Sequence, residues 1–373
     1  MAQTFQPFEM ERMMSKWENA VEYNLSESGV HPMIIRELID DADDIDALLD
    51  TEINYPQANG LPALRERIAA LYEESRPEQV LVTVGCIEAN YLALHTLLEP
   101  GDEMAMMLPN YMQLWGVARN RGIQIRPFYL REENDWALDM GDAVTEKTRL
   151  IAVCNPNNPT GYILTEDEMD EIVRQAERVG AWILADEVYA GTERLTDRET
   201  PSFRGRYDRV LANGSLSKAY GIPGLRIGWT VGPENTVDDM WARREYITIS
   251  AGMLSNKLAE IALRPQVRRR ILRRTRDYIR RGYPVLEEWM NSQGGLFDVV
   301  PPQAAAIAFV RYHLNVNSTE FVNRLIREKS VLIVPGDQFG MDRHFRISYG
   351  LSPERLEPAL ERIEELLNEY TAS

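Results

Sequence analysis

The sequence predicts an α/β protein, a mostly parallel sheet sandwiched by helices and followed by a smaller α+β unit. Three observations carry that prediction. Between about residues 61 and 233, short apolar runs alternate with segments of helical periodicity, as strand–helix–strand units do. The runs VLVTV, MAMML, LIAVC and WILAD are continuously apolar rather than alternating, as strands covered on both faces are. After Pro233 the character changes to one long arginine-rich helical stretch and then to strand-like runs.

In chain order, Phe8 to Ala20 reads as an amphipathic helix and Leu25 to Pro32 as a turn. The carboxylate-dense run Asp41 to Asp50 reads as solvated. Leu64, Ile68, Leu71 and Tyr72 mark a helix within residues 61–75. QVLVTVG is a strand entering a glycine turn, and IEANYLALHTLL is a helix closed by Pro100 to Asp102. EMAMMLP, YMQLWGVARNRG and IQIRPFYL give strand, helix, strand. RLIAVC runs into the turn NPNNPTG, and Thr165 opens the next helix with a capping-box pattern, TEDE. WILADEVY, RVLANGS and LRIGWTVG are further strands. PQVRRRILRRTRDYIRRGYPVLEEWMNSQGG is a long helix whose arginines read as a solvated face pairing with the acidic surface. The runs within GGLFDVVPPQAAAIAFVRY, KSVLIVPGDQFG and HFRISYG are strands of the second unit.

A chain of 373 residues suggests two to three domains and can bury about three quarters of its unfolded surface. The net charge of −17 argues against nucleic acid as a partner and, more weakly, against anionic membranes. Cys86 and Cys154 form no CxxC pair, so reduced thiols in a cytoplasmic protein are expected. The N-terminal stretch has no apolar h-region and no run approaches a membrane span, so neither a signal peptide nor a membrane helix is expected. The four scattered histidines have no metal-ligand spacing, so no metal is expected. The pairs Met13–Met14 and Met106–Met107 read as core filler.

Ligands of open α/β sheets sit at the C-terminal ends of the strands, and four loops there carry unusual polar residues. Gly85 opens a helix whose N-terminal amides suit a phosphate, although most such turns bind nothing. NPNNPTG holds Asn158 rigidly, or is a plain proline turn. Asp186 ends an apolar strand, where a carboxylate is costly unless paired. It suits a protonated ring nitrogen or a cation, or it is a helix cap or structural ion pair. Ser215, Ser217, Lys218 and Arg226 crowd one glycine-rich loop, either an anion site with an amine able to form a Schiff base or a surface loop with two cations.

Taken in order, NPNNPTG, DEVY, SLSKAYGIPGLRIGW and FRISYG resemble the fold-type I pyridoxal-phosphate enzymes, specifically the class I/II aminotransferase family, from about Asn24 onward. The resemblance implies a seven-stranded-type sheet in a large domain and a smaller α+β domain. It divides the chain into an N-terminal arm with part of the small domain (1–50), a large cofactor domain (51–235), and an inter-domain helix with the C-terminal small domain (236–373). It implies pyridoxal 5′-phosphate as cofactor, with Lys218 as Schiff-base lysine and proton shuttle and Asp186 on the pyridinium nitrogen. Asn158 and Tyr189 would reach the phenolic oxygen, and Tyr111 would stack on the ring. The amides of Cys86 and Ile87, beside Gly85, would bind the phosphate with Ser215, Ser217 and Arg226. Cys86's own side chain receives no role. Tyr55 would reach the neighbouring subunit's phosphate, implying a homodimer with shared sites. Arg346 would clamp the substrate carboxylate.

The resemblance implies transamination between an L-amino acid and a 2-oxo acid as the first expectation. The segment YNLSESGVHPM departs from the usual turn of common members, which makes Glu27, Ser28 and Gly29 specificity candidates. With Glu11 and Glu18 on a covering helix, Glu27 would suit a cationic side chain; otherwise it is a cap or surface acid. The second expectation is therefore an oxidase/hydroxylase or capreomycidine-synthase-like cyclase acting on arginine or a derivative. A non-catalytic regulator of the same fold is a third, and an intact Lys218 argues against it.

Overall fold

The computed structural model describes residues 5–371; residues 1–4, part of the stretch read above for a leader, and 372–373 lie outside the described residues. The first strand, β1 (Tyr23–Asn24), belongs to the C-terminal unit, and the central sheet begins with β2 (Val80–Val84). It continues with β3 (Glu103–Leu108), β4 (Gln124–Arg131), β5 (Ala137–Asp139) and β6 (Thr148–Cys154), then β7 (Trp182–Asp186), β8 (Val210–Ser215) and β9 (Ile227–Val231). The spatial order is β2-β9-β8-β7-β6-β3-β4-β5. Strands β8, β7, β6, β3 and β4 are mutually parallel, and β9 is antiparallel to both neighbours. Seven strands match the expectation. The eighth, β5, is a three-residue edge ribbon antiparallel to β4, too short for any periodicity to announce.

Local chemistry explains the boundaries. The helix Glu166–Val179 opens on Thr165, whose hydroxyl accepts from Glu168 N at 3.3 Å, and closes on left-handed Gly180. The helix expected over Phe8 to Ala20 spans Glu9–Trp17, and that expected within 61–75 spans Pro62–Ala69. The arginine helix runs over Pro265–Ser292, through Pro284. Its arginines are not one solvated face. Arg270 and Arg280 pair at the surface with Asp40 and Asp197, whereas Arg276 is buried against buried Glu193 at 2.6 Å. Met106 and Met107 are core, as expected.

The C-terminal unit is built on β10 (Phe297–Val299), β11 (Ile307–Tyr312), β12 (Val331–Leu332), β13 (Val334–Pro335) and β14 (His344–Ser348). Four of them form an antiparallel sheet in the order β10-β11-β14-β13. β1 pairs in parallel with β12. Leu25 N then donates to Leu332 O at 2.8 Å, and Ser348 N donates to Leu25 O at 2.8 Å. These bonds fix residues 26–29 beside the end of β14. No helix among the described residues is long and apolar enough to cross a membrane.

Strand β9 lies against the start of the helix Cys86–Leu97. A Cβ at Gly228 would stand 2.4 Å from Cys86 N and from the Gly85 carbonyl carbon, both backbone atoms that cannot step aside cheaply. Gly228→Ala is expected to destabilise the protein by about 1–3 kcal/mol through overpacking. Urea titration checks this, and an unchanged midpoint would refute the close approach.

Candidate active site

The parallel strands end at one edge of the sheet, and β9, being reversed, starts there. That is why Arg226, just before β9, joins residues that follow β2, β3, β6, β7 and β8. They surround a cavity of about 180 Å³ lined by Cys86, Ile87, Tyr111, Asn158, Asp186 and Tyr189, together with Ser28, Ser215, Ser217, Lys218, Arg226 and Arg346.

Asp186 closes β7. Its Oδ2 accepts from Asn90 Nδ2 at 3.0 Å and its Oδ1 from Val188 N at 3.3 Å, and the Cys86 thiol also reaches it. These partners are neutral, and burial pushes the carboxyl pKa up. A carboxylate so placed is neither a helix cap nor half of a structural ion pair. Cys86's side chain, left without a role by the sequence, is one of its neighbours.

Lys218 Nζ lies 2.6 Å from Glu27 Oε1. The same oxygen accepts from Ser28 N at 3.0 Å and Gly29 N at 3.1 Å. The ammonium holds the Glu27 carboxyl down at about 2. The expected crowd of cations around Lys218 is thus corrected: its direct partner is a carboxylate. Gly29 packs behind the lysine, its would-be Cβ 3.7 Å from Lys218 Cα. Glu27 and Gly29 line a separate cavity of about 560 Å³, and Glu27 meets the candidate site through Lys218.

Arg346, on β14, is 2% exposed. It donates from Nη1 to Asn158 Oδ1 at 3.0 Å and from Nη2 to Ser26 O at 2.6 Å, and its Nε is without a partner. Tyr189 donates its hydroxyl to Ser28 Oγ at 2.8 Å, and burial pushes its pKa up. Three consecutive residues, Ser26, Glu27 and Ser28, therefore each hold one of Arg346, Lys218 and Tyr189. Asn158 is presented by a turn in which the Asn155–Pro156 and Asn158–Pro159 bonds are both cis and Asn157 Oδ1 accepts from Thr160 Oγ1 at 2.8 Å.

The other end of the cavity suits an anion. Arg226, at φ +50, lies over Gly85 so closely that a Cβ there would meet Nη2 at 2.4 Å. Its Nη1 donates to Ser217 Oγ at 3.4 Å and Pro223 O at 3.1 Å, neither of them charged. Ser217 N donates to Ser215 Oγ at 3.2 Å, and the amides of Cys86 and Ile87 open the adjoining helix.

The helix Glu9–Trp17 covers the site. Met10, Glu11 and Met14 line the cavity, and Met14 is also buried in the core, as expected. Tyr111 donates its hydroxyl to Glu11 Oε1 at 2.5 Å, and its ring lies 5.0 Å from that of Phe8. Burial, then Glu27 and Glu11, push the Glu18 carboxyl pKa up, so the three acids act on one another. Tyr55 is 83% exposed and lies outside the cavity of its own chain.

Sequence reasoning missed Asn90, Gln113 and Ser26. Asn90 had a signal: it falls on the same stripe as Ala93, Leu94 and Leu97, where a helix buries apolar side chains.

The donor set fits pyridoxal 5′-phosphate. A desolvated carboxylate answers a protonated ring nitrogen, a helix N-terminus with an uncompensated arginine answers a phosphate, and an amine answers an aldehyde. Fold and site together define a pyridoxal-phosphate enzyme of fold type I. The chain belongs to the aminotransferase class I and II family, whose model matches residues 23–363. It is 32% identical to capreomycidine synthase of Streptomyces vinaceus over 359 residues, 93% of this chain and 90% of that protein. Among solved structures it resembles a PLP-dependent aminotransferase from Streptococcus suis 89-1591, with 30% identity, a TM-score of 0.91 and coverage of 98% and 99% of the two chains. It also resembles the PLP-dependent cyclase OrfR, with 25% identity, a TM-score of 0.88 and 99% coverage of both. Its cofactor is pyridoxal 5′-phosphate.

The depressed Glu27 pKa has a signed consequence. A carboxyl held at about 2 instead of 4.5 stabilises the fold above pH 4.5, and that contribution is lost as pH falls toward about 2. The pair is partly exposed, so solvent screening leaves about 1 kcal/mol. Glu27→Gln is expected to lower the urea midpoint of the cofactor-free protein at pH 7, with the gap narrowing below pH 4.5. A gap that widens in acid would contradict the pairing.

Proposed function

We propose that this enzyme acts on L-arginine or a derivative and ends either in oxidation of that substrate by dissolved oxygen or in ring closure with loss of a leaving group that the derivative carries. The observation carrying this reading is the Glu27 carboxylate 2.6 Å from Lys218 Nζ. When Lys218 gives up its charge to act as a base, Glu27 is left inside the site without its counter-cation. Such a loss is costly, and a guanidinium at the substrate's far end restores the balance. Glu11 and Glu18 add to the same negative field. The likeness to capreomycidine synthase and to a PLP-dependent cyclase supports the same branch.

In this reading the bound cofactor supplies an electron sink for the carbanion formed at the substrate's Cα. The chain's residues do the rest. Arg346 takes the α-carboxylate, its unpaired Nε being a donor still to be met. Lys218 carries the cofactor's aldehyde carbon and moves the proton at Cα. Asp186 would keep the ring nitrogen protonated, and Asn158, with Tyr189 once its O–H turns from Ser28, would donate toward the phenolic oxygen. Cys86 and Ile87 amides, Ser215, Ser217 and Arg226 hold the phosphate, and Tyr111 covers the ring. Ser28 and Gly29 set Glu27 in place through their own hydrogen bonds. Residues 1–50, 51–235 and 236–373 form the arm, the cofactor domain and the small domain. Tyr55 reaches the phosphate of a second copy in a homodimer with shared sites, a role its outward position supports, as do exposed Ile53 and Leu49 nearby. The protein works in the cytoplasm.

Transfer of the amino group to a 2-oxo acid is the second reading, favoured by the likeness to the Streptococcus suis aminotransferase. An amino-acid panel, with and without a 2-oxo acid and with dissolved oxygen followed, separates the two. Acceptor-independent turnover of arginine or a derivative, with an oxidised or cyclic product by mass, is expected. Acceptor-dependent turnover of neutral amino acids would refute the first reading. Lys218→Ala is expected to abolish the imine absorbance of the resting holoenzyme, and a resting imine band that persists would remove Lys218 from the cofactor. Arg346→Lys loses a two-pronged carboxylate contact and is expected to raise KM about tenfold or more for every amino acid turned over; an unchanged KM would remove Arg346 from the carboxylate.

A further inference from the structure

We infer that Asn90 is a positioning residue for Asp186: its side-chain amide is locked so that only N–H faces that carboxylate, which holds Asp186 ionised for the cofactor's ring nitrogen. This deepens the reading above and rests on its assignment of Asp186.

The lock is made of buried side chains from separate elements. Thr230 on β9 donates Oγ1 to Asn213 Oδ1 at 2.6 Å. Asn213 on β8 donates Nδ2 to Asn90 Oδ1 at 2.8 Å. Asn90 donates Nδ2 to Asp186 Oδ2 at 3.0 Å and to Gln113 Oε1 at 3.3 Å. Gln113 donates Nε2 to the main-chain carbonyl of Ile87 at 2.6 Å. Thr230 and Asn213 are 0% exposed, Asn90 2% and Gln113 6%.

An isolated amide can turn over with little change of shape, so its polarity is decided by its partners. Here one partner cannot turn over. A main-chain carbonyl only accepts, so Gln113 must offer it Nε2 and must offer Asn90 its oxygen. Asn90 must answer Gln113 with Nδ2, and the second N–H of that nitrogen falls to Asp186. The Asn90 oxygen is occupied by Asn213. The amide therefore cannot present an acceptor to a protonated Asp186. A donor fixed in this way favours the ionised form of a carboxyl that burial alone would neutralise. The chain of polar groups also interrupts strands that are otherwise apolar: Val210, Leu211 and Ala212 precede Asn213, and Val231 follows Thr230. Polar groups in such a place are costly unless every partner is supplied, and they are supplied in the one order that ends on a donor.

The holoenzyme reconstituted with ring-¹⁵N-labelled pyridoxal phosphate tests this by ¹⁵N NMR across pH. The wild-type ring nitrogen is expected to stay protonated. In Asn90→Leu it should titrate about one pH unit lower, a tenfold loss of the protonated form at a given pH, with cofactor affinity weakened about tenfold. Asn90→Ser, a smaller change for the fold, should shift the same way by less, because a hydroxyl can donate or accept. Thr230→Val leaves the Gln113 pin intact and should leave the titration within about twofold of wild type. Variants that bind cofactor less well but keep the wild-type ring titration would overturn the inference, since a merely structural amide behaves so. An unprotonated wild-type ring would overturn both this inference and the role of Asp186, whereas a failure to turn over arginine touches only the substrate reading.

Discussion

Charges brought to one edge of a sheet, with few countercharges beside them, set the terms for the rest of the molecule. Asp186 is desolvated among neutral donors, Arg346 is buried against carbonyl oxygens, and Arg226 meets a hydroxyl and a carbonyl. Left to themselves such groups would favour neutral forms or a collapsed edge. The stretch 26–28 prevents that for Arg346, Lys218 and Tyr189, one partner per residue. It can do so only because β1 is stitched to β12 and Leu25 to Ser348, so the two ends of the chain meet there. Stability and chemistry share this origin: the groups that strain the fold are the ones a cofactor and an amino acid would satisfy.

The two ends of the cavity differ in kind. At the end beside Arg226, backbone amides and serines are rigid parts of a helix start and a strand end, and glycines at 85 and 228 let them close on Arg226 and β9. At the other end the wall is made of Met10, Glu11 and Met14 from the covering helix and of Ser28. Glu27 reaches Lys218 from a stretch that borders a separate cavity, apart from the residues that hold Asp186 and Arg226.

Much of this was legible in the sequence because it is local. Strand, loop and polar residue follow one another within a few positions in VLVTVGC, WILADEVY and NGSLSKAYG, and each loop lands at the same sheet edge once the strands are parallel. What was not legible depends on distant pairings. The reversal of β9 has no signature in LRIGWTVG, which reads like its parallel neighbours. The contact of Glu27 with Lys218 spans 191 positions, and that of Asn213 with Asn90 spans 123. Asn90 was visible only as a polar residue on an apolar stripe, and its meaning appears when β8 and β9 flank its helix. Arg276 was read as one of many solvated arginines because periodicity does not say which carboxylate lies opposite, here buried Glu193.

Whether the acid beside Lys218 reads the charge of the substrate decides the proposed substrate class. Absorbance titration of the holoenzyme with L-arginine and with its neutral isostere citrulline, in wild type and in Glu27→Gln, measures this directly. The account predicts tighter binding of arginine by the wild type and a preference that collapses in the variant. Equal affinity for the two ligands in the wild type, or a variant that weakens both alike, would contradict it.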